Sequence, residues 1–252
     1  MHKKNEYIAV FDSGVGGISV LRELVRQLPN ERFLYYGDSA NAPYGDRPTT
    51  QVQQLTLAAA EMLHKRSIKA LVVACNTATA AAIRQLRQQY PETIIIGIEP
   101  ALKLAADRFP CGRIGVMATQ VTLREEKFSR QLERFPNVQV SLIPAPGLVE
   151  CIESGNAESP ETEALLQTIL APYVGKLDAL VLGCTHYPFA KAAIARVLGA
   201  RTILLDGSEG TARQTKRCLE AADLLYEGPG CVQVENSSAA PALLQLCMEL
   251  LK

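Results

Sequence analysis

The chain has 252 residues, of which 48% are hydrophobic and 21% are charged, an ordinary composition for a packed globular protein. Lysine and arginine total 26, and so do aspartate and glutamate, so the formal net charge is zero and no basic excess indicates a nucleic-acid partner. No apolar run is long enough to cross a bilayer, and the polar N-terminus does not resemble a secretory signal. We therefore expect a cytoplasmic protein that binds neither nucleic acid nor membrane.

The cysteines are odd in number and scattered along the chain. The seven are Cys75, Cys111, Cys151, Cys184, Cys218, Cys231 and Cys247. No CxxC motif occurs, so a structural zinc site is not predicted. Without a secretory signal we expect reduced thiols, most of which can serve as small apolar core residues.

Short apolar segments alternate with longer amphipathic segments. The predicted strands are 8–11, 33–36, 71–74, 94–98, 114–118, 138–143, 180–182 and 203–205. The predicted helices are 51–65, 77–89, 122–134, 161–173 and 190–198. Continuous apolar runs are typical of strands buried on both faces, and β-α alternation predicts parallel sheets covered by helices.

A weak internal repeat predicts two similar domains. The segments IAVF and LVVACNT of the first half correspond, in the same order, to IGVM and LVLGCTH of the second. A chance match between buried strands would explain the apolar positions equally well, but not a cysteine at the same place in each half. We predict two pseudo-symmetric parallel-sheet α/β domains, 1–98 together with 207–252, and 99–206, with the active site in the cleft between them.

Cys75 and Cys184 lie in equivalent strand-to-helix turns. Cys75 stands in LVVACNTAT, where the N-terminus of a following helix would lower a thiol pKa and bind anions, and where Asn76 and Thr77 could cap the helix or hold a carboxylate. Cys184 stands in LVLGCTHYP, two residues before His186, a side chain suited to proton transfer near neutral pH. A buried structural cysteine and a C-x-H metal ligand pair are the alternatives.

The pairing of the two turns indicates chemistry at a stereocentre. Inversion needs one base to remove the α-proton from one face and one acid to return a proton to the other face. Two thiols that reach one ligand from opposite sides would supply both groups. A cysteine-nucleophile hydrolase would use only one of them.

A glycine-rich turn, DSGVGG, follows the first strand. It resembles a dinucleotide-binding loop, but Ser19 stands where the third glycine or alanine should be, and the charge of Asp12 would oppose a phosphate. The alternative is that Asp12 and Ser13 project toward a substrate, where the carboxylate could hold an ammonium group or orient a thiol.

Three further segments contain candidate site residues. Tyr44 and Gly45 belong to a turn-rich loop after the second strand, which could equally be an ordinary surface turn. Thr119 and Thr122 open a predicted helix and are candidates for holding a carboxylate. Glu150 follows a proline-rich bend, and a surface position is its alternative interpretation.

Taken together, these motifs resemble those of the bacterial glutamate racemases. The similar segments are FDSGVGG, YGDSANAPYG, ACNTAT and GCTHYP, which begin at Phe11, Tyr36, Ala74 and Gly183. They occur in family order and span nearly the whole chain. The resemblance implies two α/β domains and a racemase that needs no pyridoxal phosphate and supplies D-glutamate for peptidoglycan. No metal is expected either, since no third or fourth ligand accompanies the Cys184 and His186 pair.

The resemblance also implies residue roles. Cys75 and Cys184 would be the proton donor and acceptor, with Asp12 assisting Cys75, and with His186 and Glu150 assisting Cys184. The implied substrate contacts are Asp12, Ser13, Tyr44, Gly45, Asn76, Thr77, Thr119, Thr122, Thr185 and His186. The segment IPAPGLV lacks the Cys-Pro that many family members carry before the position of Glu150.

Two other interpretations remain open at this point. A sister racemase acting on aspartate would share the two cysteine turns, but such relatives tend to carry glutamate in place of His186 and lack the DSGVGG opening. A non-catalytic protein built on the same cleft would bind glutamate without exchanging its α-proton. The sequence does not distinguish a monomer from a homodimer.

Overall fold

The computed structural model describes residues 3–99, 101–124 and 132–252. Contacts divide the chain into two compact units, residues 1–99 with 208–252 (the first unit) and residues 100–207 (the second unit). The predicted domain break near Pro100 involves a residue outside the described ones, and so does the middle of the predicted helix 122–134.

The strands are β1 Tyr7–Asp12, β2 Arg32–Gly37, β3 Ile68–Val73, β4 Ile94–Gly97, β5 Arg113–Ala118, β6 Gln139–Pro144, β7 Ala179–Leu182, β8 Ile203–Asp206 and β9 Cys231–Asn236. The helices are α1 Ile18–Gln27, α2 Thr49–His64, α3 Asn76–Gln89, α4 Leu102–Arg108, α5 Gln120–Arg124, α6 Leu148–Glu153, α7 Pro160–Leu170, α8 Lys191–Leu198, α9 Ser208–Ala221 and α10 Pro241–Leu251. Short 3₁₀ turns include Ser39–Asn41, Tyr44–Asp46 and Tyr187–Ala190.

The first unit contains a five-stranded parallel sheet in the order β4-β3-β1-β2-β9. β3 is buried at every position, and β1 is buried from Ile8 to Asp12. This burial explains why both strands are continuous apolar runs. The last strand, β9, returns from the C-terminal part of the chain to pair with β2 at the edge of the sheet.

The second unit contains a four-stranded parallel sheet in the order β6-β5-β7-β8. Its central strands β5 and β7 are buried, and α6, α7 and α8 cover an apolar cluster that includes Met117, Leu180 and Cys184. Parallel strands joined by helices place all their carboxyl ends at one edge, so the turns after β5 and β7 are neighbours.

The predicted fold class is confirmed, since both sheets are entirely parallel and helices connect their strands. The eight predicted strands all occur, with bounds that differ by a few residues at most. β9 is additional to the predicted strands, and α1, α4, α6, α9 and α10 are additional to the predicted helices. Within the described residues, no helix combines the length and the apolar character needed to cross a membrane.

Candidate active site

Cys75 occupies the turn between β3 and α3, with a side chain that is 4% exposed. Its extended backbone, with φ −69° and ψ 123°, makes it the N-cap residue of α3, and its Sγ accepts a hydrogen bond from the Ala78 amide at 3.4 Å. The N-terminal amides of a helix stabilise negative charge. The turn therefore supplies a backbone donor that can stabilise charge on the sulfur.

Asn76 and Thr77 follow the thiol and are buried. Among the described residues, Asn76 Oδ1 has no hydrogen-bond partner although the atom is inaccessible to solvent. A buried acceptor without a donor costs free energy, so this oxygen is suited to accept a hydrogen bond from a ligand donor such as an ammonium group.

Asp12 ends β1 and is fully buried. Its Oδ2 accepts a hydrogen bond from the Gly14 amide at 3.0 Å, and Tyr35 donates to the Gly14 carbonyl at 2.6 Å. A Cβ on Gly17 would lie 2.5 Å from the Asp12 Cβ, so the glycine lets α1 approach the carboxylate closely. The glycine-rich turn thus encloses a carboxylate where a nucleotide loop would hold a phosphate. Ser13 is buried beside it.

Tyr44 is 1% exposed, and its hydroxyl donates to Asp38 Oδ2 at 2.7 Å. Asn41 Nδ2 donates to both carboxylate oxygens of Asp38, at 3.1 Å each. Burial, the bond to Asp38, and the negative charges of Asp38, Cys75 and Asp12 raise the pKa of Tyr44 far above its usual range. The hydroxyl therefore stays protonated. The ring packs in the same apolar cluster as Cys75, next to the half-buried Gly45.

Asp38 was not among the predicted site residues. The sequence feature that could have indicated it is the segment GDSANAPYG, in which the aspartate precedes the tyrosine by six residues. Only the folded loop, however, brings the two side chains together.

Cys184 lies in the turn after β7 and is 8% exposed. The preceding Gly183 donates its amide to the Met117 carbonyl at 2.7 Å, and a Cβ at Gly183 would lie 2.9 Å from the Ala118 Cβ. This close contact fixes the turn against the end of β5. Thr185 is buried immediately after the thiol.

His186 is 2% exposed and lies between the thiol and a carboxylate. Its Nδ1 is 3.7 Å from Cys184 Sγ, and its Nε2 is 2.6 Å from Glu153 Oε1. Burial alone would lower the pKa of His186, but the hydrogen bonds to Cys184 and Glu153 and the charges of both raise it well above its usual value. The raised pKa favours an imidazolium, and the imidazole is placed to move a proton to or from the sulfur.

The structure brings Glu153, and not the predicted Glu150, against His186. α6 buries Leu148 and Ile152 and places Glu153 at its last residue, against His186, whereas Glu150 is exposed. The N-cap residue of α6 is Gly147, which has φ 84°. Because Glu150 and Glu153 are three residues apart, the start of this helix decides which of them reaches His186. Glu153 was not predicted from the sequence because the first residue of α6 could not be located from the residues alone.

Thr119 directly follows β5, the strand that pairs with β7, and Thr122 lies in α5. Thr119 Oγ1 is 3.1 Å from Thr122 Oγ1 and accepts a hydrogen bond from the Thr122 amide at 3.3 Å. The two hydroxyls and the start of α5 thus stand at the same sheet edge as the Cys184 turn. They are suited to holding a carboxylate.

The other cysteines show no comparable surroundings. Cys111 and Cys231 are exposed, Cys151 and Cys218 are half-buried, and Cys247 is buried in α10. In the part of the chain that the structure describes, no three His, Cys, Asp or Glu side chains cluster in a way that could hold a metal ion.

Comparison with known proteins gives one consistent result. The profile of the Asp/Glu/hydantoin racemase family matches residues 8–215. A glutamate racemase of Clostridium kluyveri is 47% identical over 256 aligned residues, which cover 100% of both chains. The glutamate racemase of Thermus thermophilus, solved in complex with β-chloro-D-alanine, has a TM-score of 0.85 at 36% identity and covers 99% of this chain and 94% of its own.

A glutamate racemase isoform from Bacillus anthracis has a TM-score of 0.89 at 31% identity, and the match covers 98% of this chain and 94% of that one. The family profile spans most of the chain, and the relatives agree with it from end to end. The resemblance first noted in the sequence is confirmed, and the chain belongs to the Asp/Glu/hydantoin racemase family.

Proposed function

We propose that the protein interconverts L-glutamate and D-glutamate. The observation that carries the proposal is the pair of buried thiols, Cys75 and Cys184, each in the turn that follows an inner strand of a parallel sheet. Similarity over the whole chain to glutamate racemases supports glutamate as the substrate.

The proposed reaction uses one thiolate and one thiol. The thiolate removes the α-proton and becomes a thiol, which leaves a carbanion at the α-carbon. The second thiol then protonates the opposite face and becomes a thiolate, so the enzyme ends the turnover with the two protonation states exchanged. The chemistry requires the sulfurs to reach one α-carbon from opposite sides. Following the family resemblance, Cys75 acts on D-glutamate and Cys184 on L-glutamate.

Each thiol has its own partners in this proposal. Asp12 assists Cys75, and the His186–Glu153 pair assists Cys184. Charge on the sulfur is stabilised differently in the two turns, by helix amides at Cys75 and by an imidazolium at Cys184.

The remaining buried polar groups bind the substrate. The orphaned Asn76 oxygen and the Asp12 carboxylate accept hydrogen bonds from the ammonium group. Hydroxyl and amide donors hold the two carboxylates, and they come from Ser13, Tyr44, Gly45, Thr77, Thr119, Thr122, Thr185 and His186. The similarity to glutamate racemases supports a role for the product, D-glutamate, in peptidoglycan synthesis, which would take place in the cytoplasm.

The test is incubation of the purified protein with L-glutamate in D₂O, with optical rotation and α-deuterium followed together. We expect both to change without any added cofactor, and aspartate to react far more slowly. Cys75→Ala and Cys184→Ala should each abolish racemisation, whereas Cys151→Ala, which removes a half-buried thiol outside the two turns, should leave it unchanged. Full racemisation by Cys184→Ala would exclude the two-thiol mechanism, and binding without deuterium exchange would indicate a non-catalytic protein.

A further inference from the structure

The C-terminal strand β9 runs beside the strand that leads to Tyr44. β9 pairs in parallel with β2, and the last pair in the register is Gly37 with Asn236. Both strands therefore end at the same sheet edge. The residues after β2 form the loop 38–44, and the residues after β9 lie against its first half.

Two side chains of the C-terminal segment bind this loop directly. Asn236 Nδ2 donates to Ser39 Oγ at 2.9 Å, while its Oδ1 accepts from the Ser238 amide at 2.9 Å, so the amide group is held from both ends. Ser237 Oγ accepts from the Ala40 amide at 2.9 Å. The Ser237 backbone amide adds a bond of 2.8 Å to the Gly37 carbonyl.

The part of the loop that Asn236 and Ser237 contact is linked to the site by hydrogen bonds. Ser39 and Ala40 lie in one 3₁₀ turn with Asn41, whose side chain binds the buried Asp38 carboxylate. That carboxylate in turn accepts a hydrogen bond from the Tyr44 hydroxyl. A displacement of the turn would therefore change the position of the tyrosine that packs with the Cys75 thiol.

We propose that Asn236 and Ser237 are positioning residues for substrate binding. They hold the 39–41 turn, and through Asp38 they keep Tyr44 in its place beside Cys75. The first half of the site thus depends on a segment nearly 200 residues away in sequence, since the Asn236–Ser39 bond spans 197 positions. The proposal rests on the proposed function, because it assigns the loop 38–44 to glutamate binding.

The experiment compares Ser237→Ala with two matched variants. Ser237→Ala removes the acceptor of the Ala40 amide and a hydrogen bond to Tyr36. We expect KM for both enantiomers to rise about two- to tenfold or more, since the net contribution of each side-chain hydrogen bond corresponds to about that factor. kcat should change little, because the thiols and their partners are untouched. Ser237→Thr keeps the hydroxyl and should restore the wild-type KM. Gln233→Ala, an exposed change on the same strand, should also leave KM unchanged.

A second variant tests the proposal independently, in case Ser237→Ala does not fold. Asn236→Ala removes the bond to Ser39 and should raise KM in the same way, with melting temperatures recorded for all variants. Wild-type KM in both Ser237→Ala and Asn236→Ala would overturn the proposal. Equal increases in Gln233→Ala would also overturn it, since they would indicate general loosening of β9. A wild-type protein that does not racemise glutamate would instead refute the proposed function.

Discussion

Replacement of Lys69 by methionine is expected to destabilise the first unit strongly. The Lys69 side chain is 0% exposed, and its Nζ is 2.6 Å from Oε2 of the equally buried Glu31. The ammonium also donates to the carbonyl groups of Lys4 at 2.8 Å and Leu224 at 2.9 Å. Oε1 of Glu31 accepts from the Tyr226 amide at 2.9 Å. One ion pair therefore joins the N-terminal turn, β3 and the connection that leads to β9.

The magnitude follows from what the substitution leaves behind. Burial lowers the pKa of Lys69, and the hydrogen bond and charge of Glu31 oppose that effect, so each charge depends on the other. Lys69→Met leaves the Glu31 carboxylate buried without a cation, which costs about 3–5 kcal/mol. The whole free energy of unfolding of a domain is about 5–15 kcal/mol. The melting temperature should fall by about 6–20 °C for a chain of this size.

The assay is urea unfolding followed by circular dichroism and by tyrosine fluorescence, since the chain has eight tyrosines and no tryptophan. The double variant Lys69→Met/Glu31→Gln removes the uncompensated charge but keeps an acceptor for the Tyr226 amide. It should therefore recover about 0.5–3 kcal/mol relative to the single variant. Lys65→Met breaks an ion pair whose side chains are 71% and 56% exposed and should not change the midpoint. A double variant no more stable than Lys69→Met would refute the reasoning.

Three further predictions concern the site. Glu153→Gln should lower kcat/KM about ten- to a hundredfold through the loss of a charge-assisted hydrogen bond, whereas the exposed Glu150→Gln should have no effect in the same assay. Because the folded pKa of His186 is raised, its contribution to stability is fully present below its unfolded value of about 6.5 and is lost as pH rises through the folded value; Glu153→Gln should move that loss to lower pH in a series of unfolding curves. Gly17→Ala should reduce activity by displacing the carboxylate that ends β1, while Gly210→Ala, where no atom lies within 4 Å of the added Cβ, should be as active as wild type.

The sequence predicted most of the fold because the sheets are parallel and their inner strands are buried on both faces. Such strands are continuous apolar runs, and β3 and β7 are examples. β9 was missed because it is an edge strand of sequence CVQVEN, with a partly exposed surface that breaks the apolar run. α9 was missed because it buries mainly small or hydroxyl-bearing residues, including Thr211, Ala212 and Thr215, and so shows little apolar periodicity.

Site residues could be predicted where local structure positions them, and could not be predicted where contacts across the fold position them. Cys75 and Cys184 could be predicted as site residues because a thiol directly after a buried strand is positioned by local structure alone. Glu153 contacts His186 and Asn236 contacts Ser39, at sequence separations of 33 and 197 residues. No local pattern encodes such contacts, since they depend on how strands are ordered in a sheet and on where a helix begins.

The unequal surroundings of the two thiols do not imply that the enzyme favours one direction. The enantiomers have the same free energy in water, so the equilibrium constant is one and kcat/KM must be equal for the two directions. A substitution at Glu153, which lies on the Cys184 side alone, must therefore lower kcat/KM for D-glutamate as much as for L-glutamate. What can differ is the division between kcat and KM, because in the proposed mechanism each enantiomer binds the form of the enzyme in which a different thiol is deprotonated. A Glu153→Gln enzyme with unequal kcat/KM in the two directions would show that the measured reaction is not a simple racemisation.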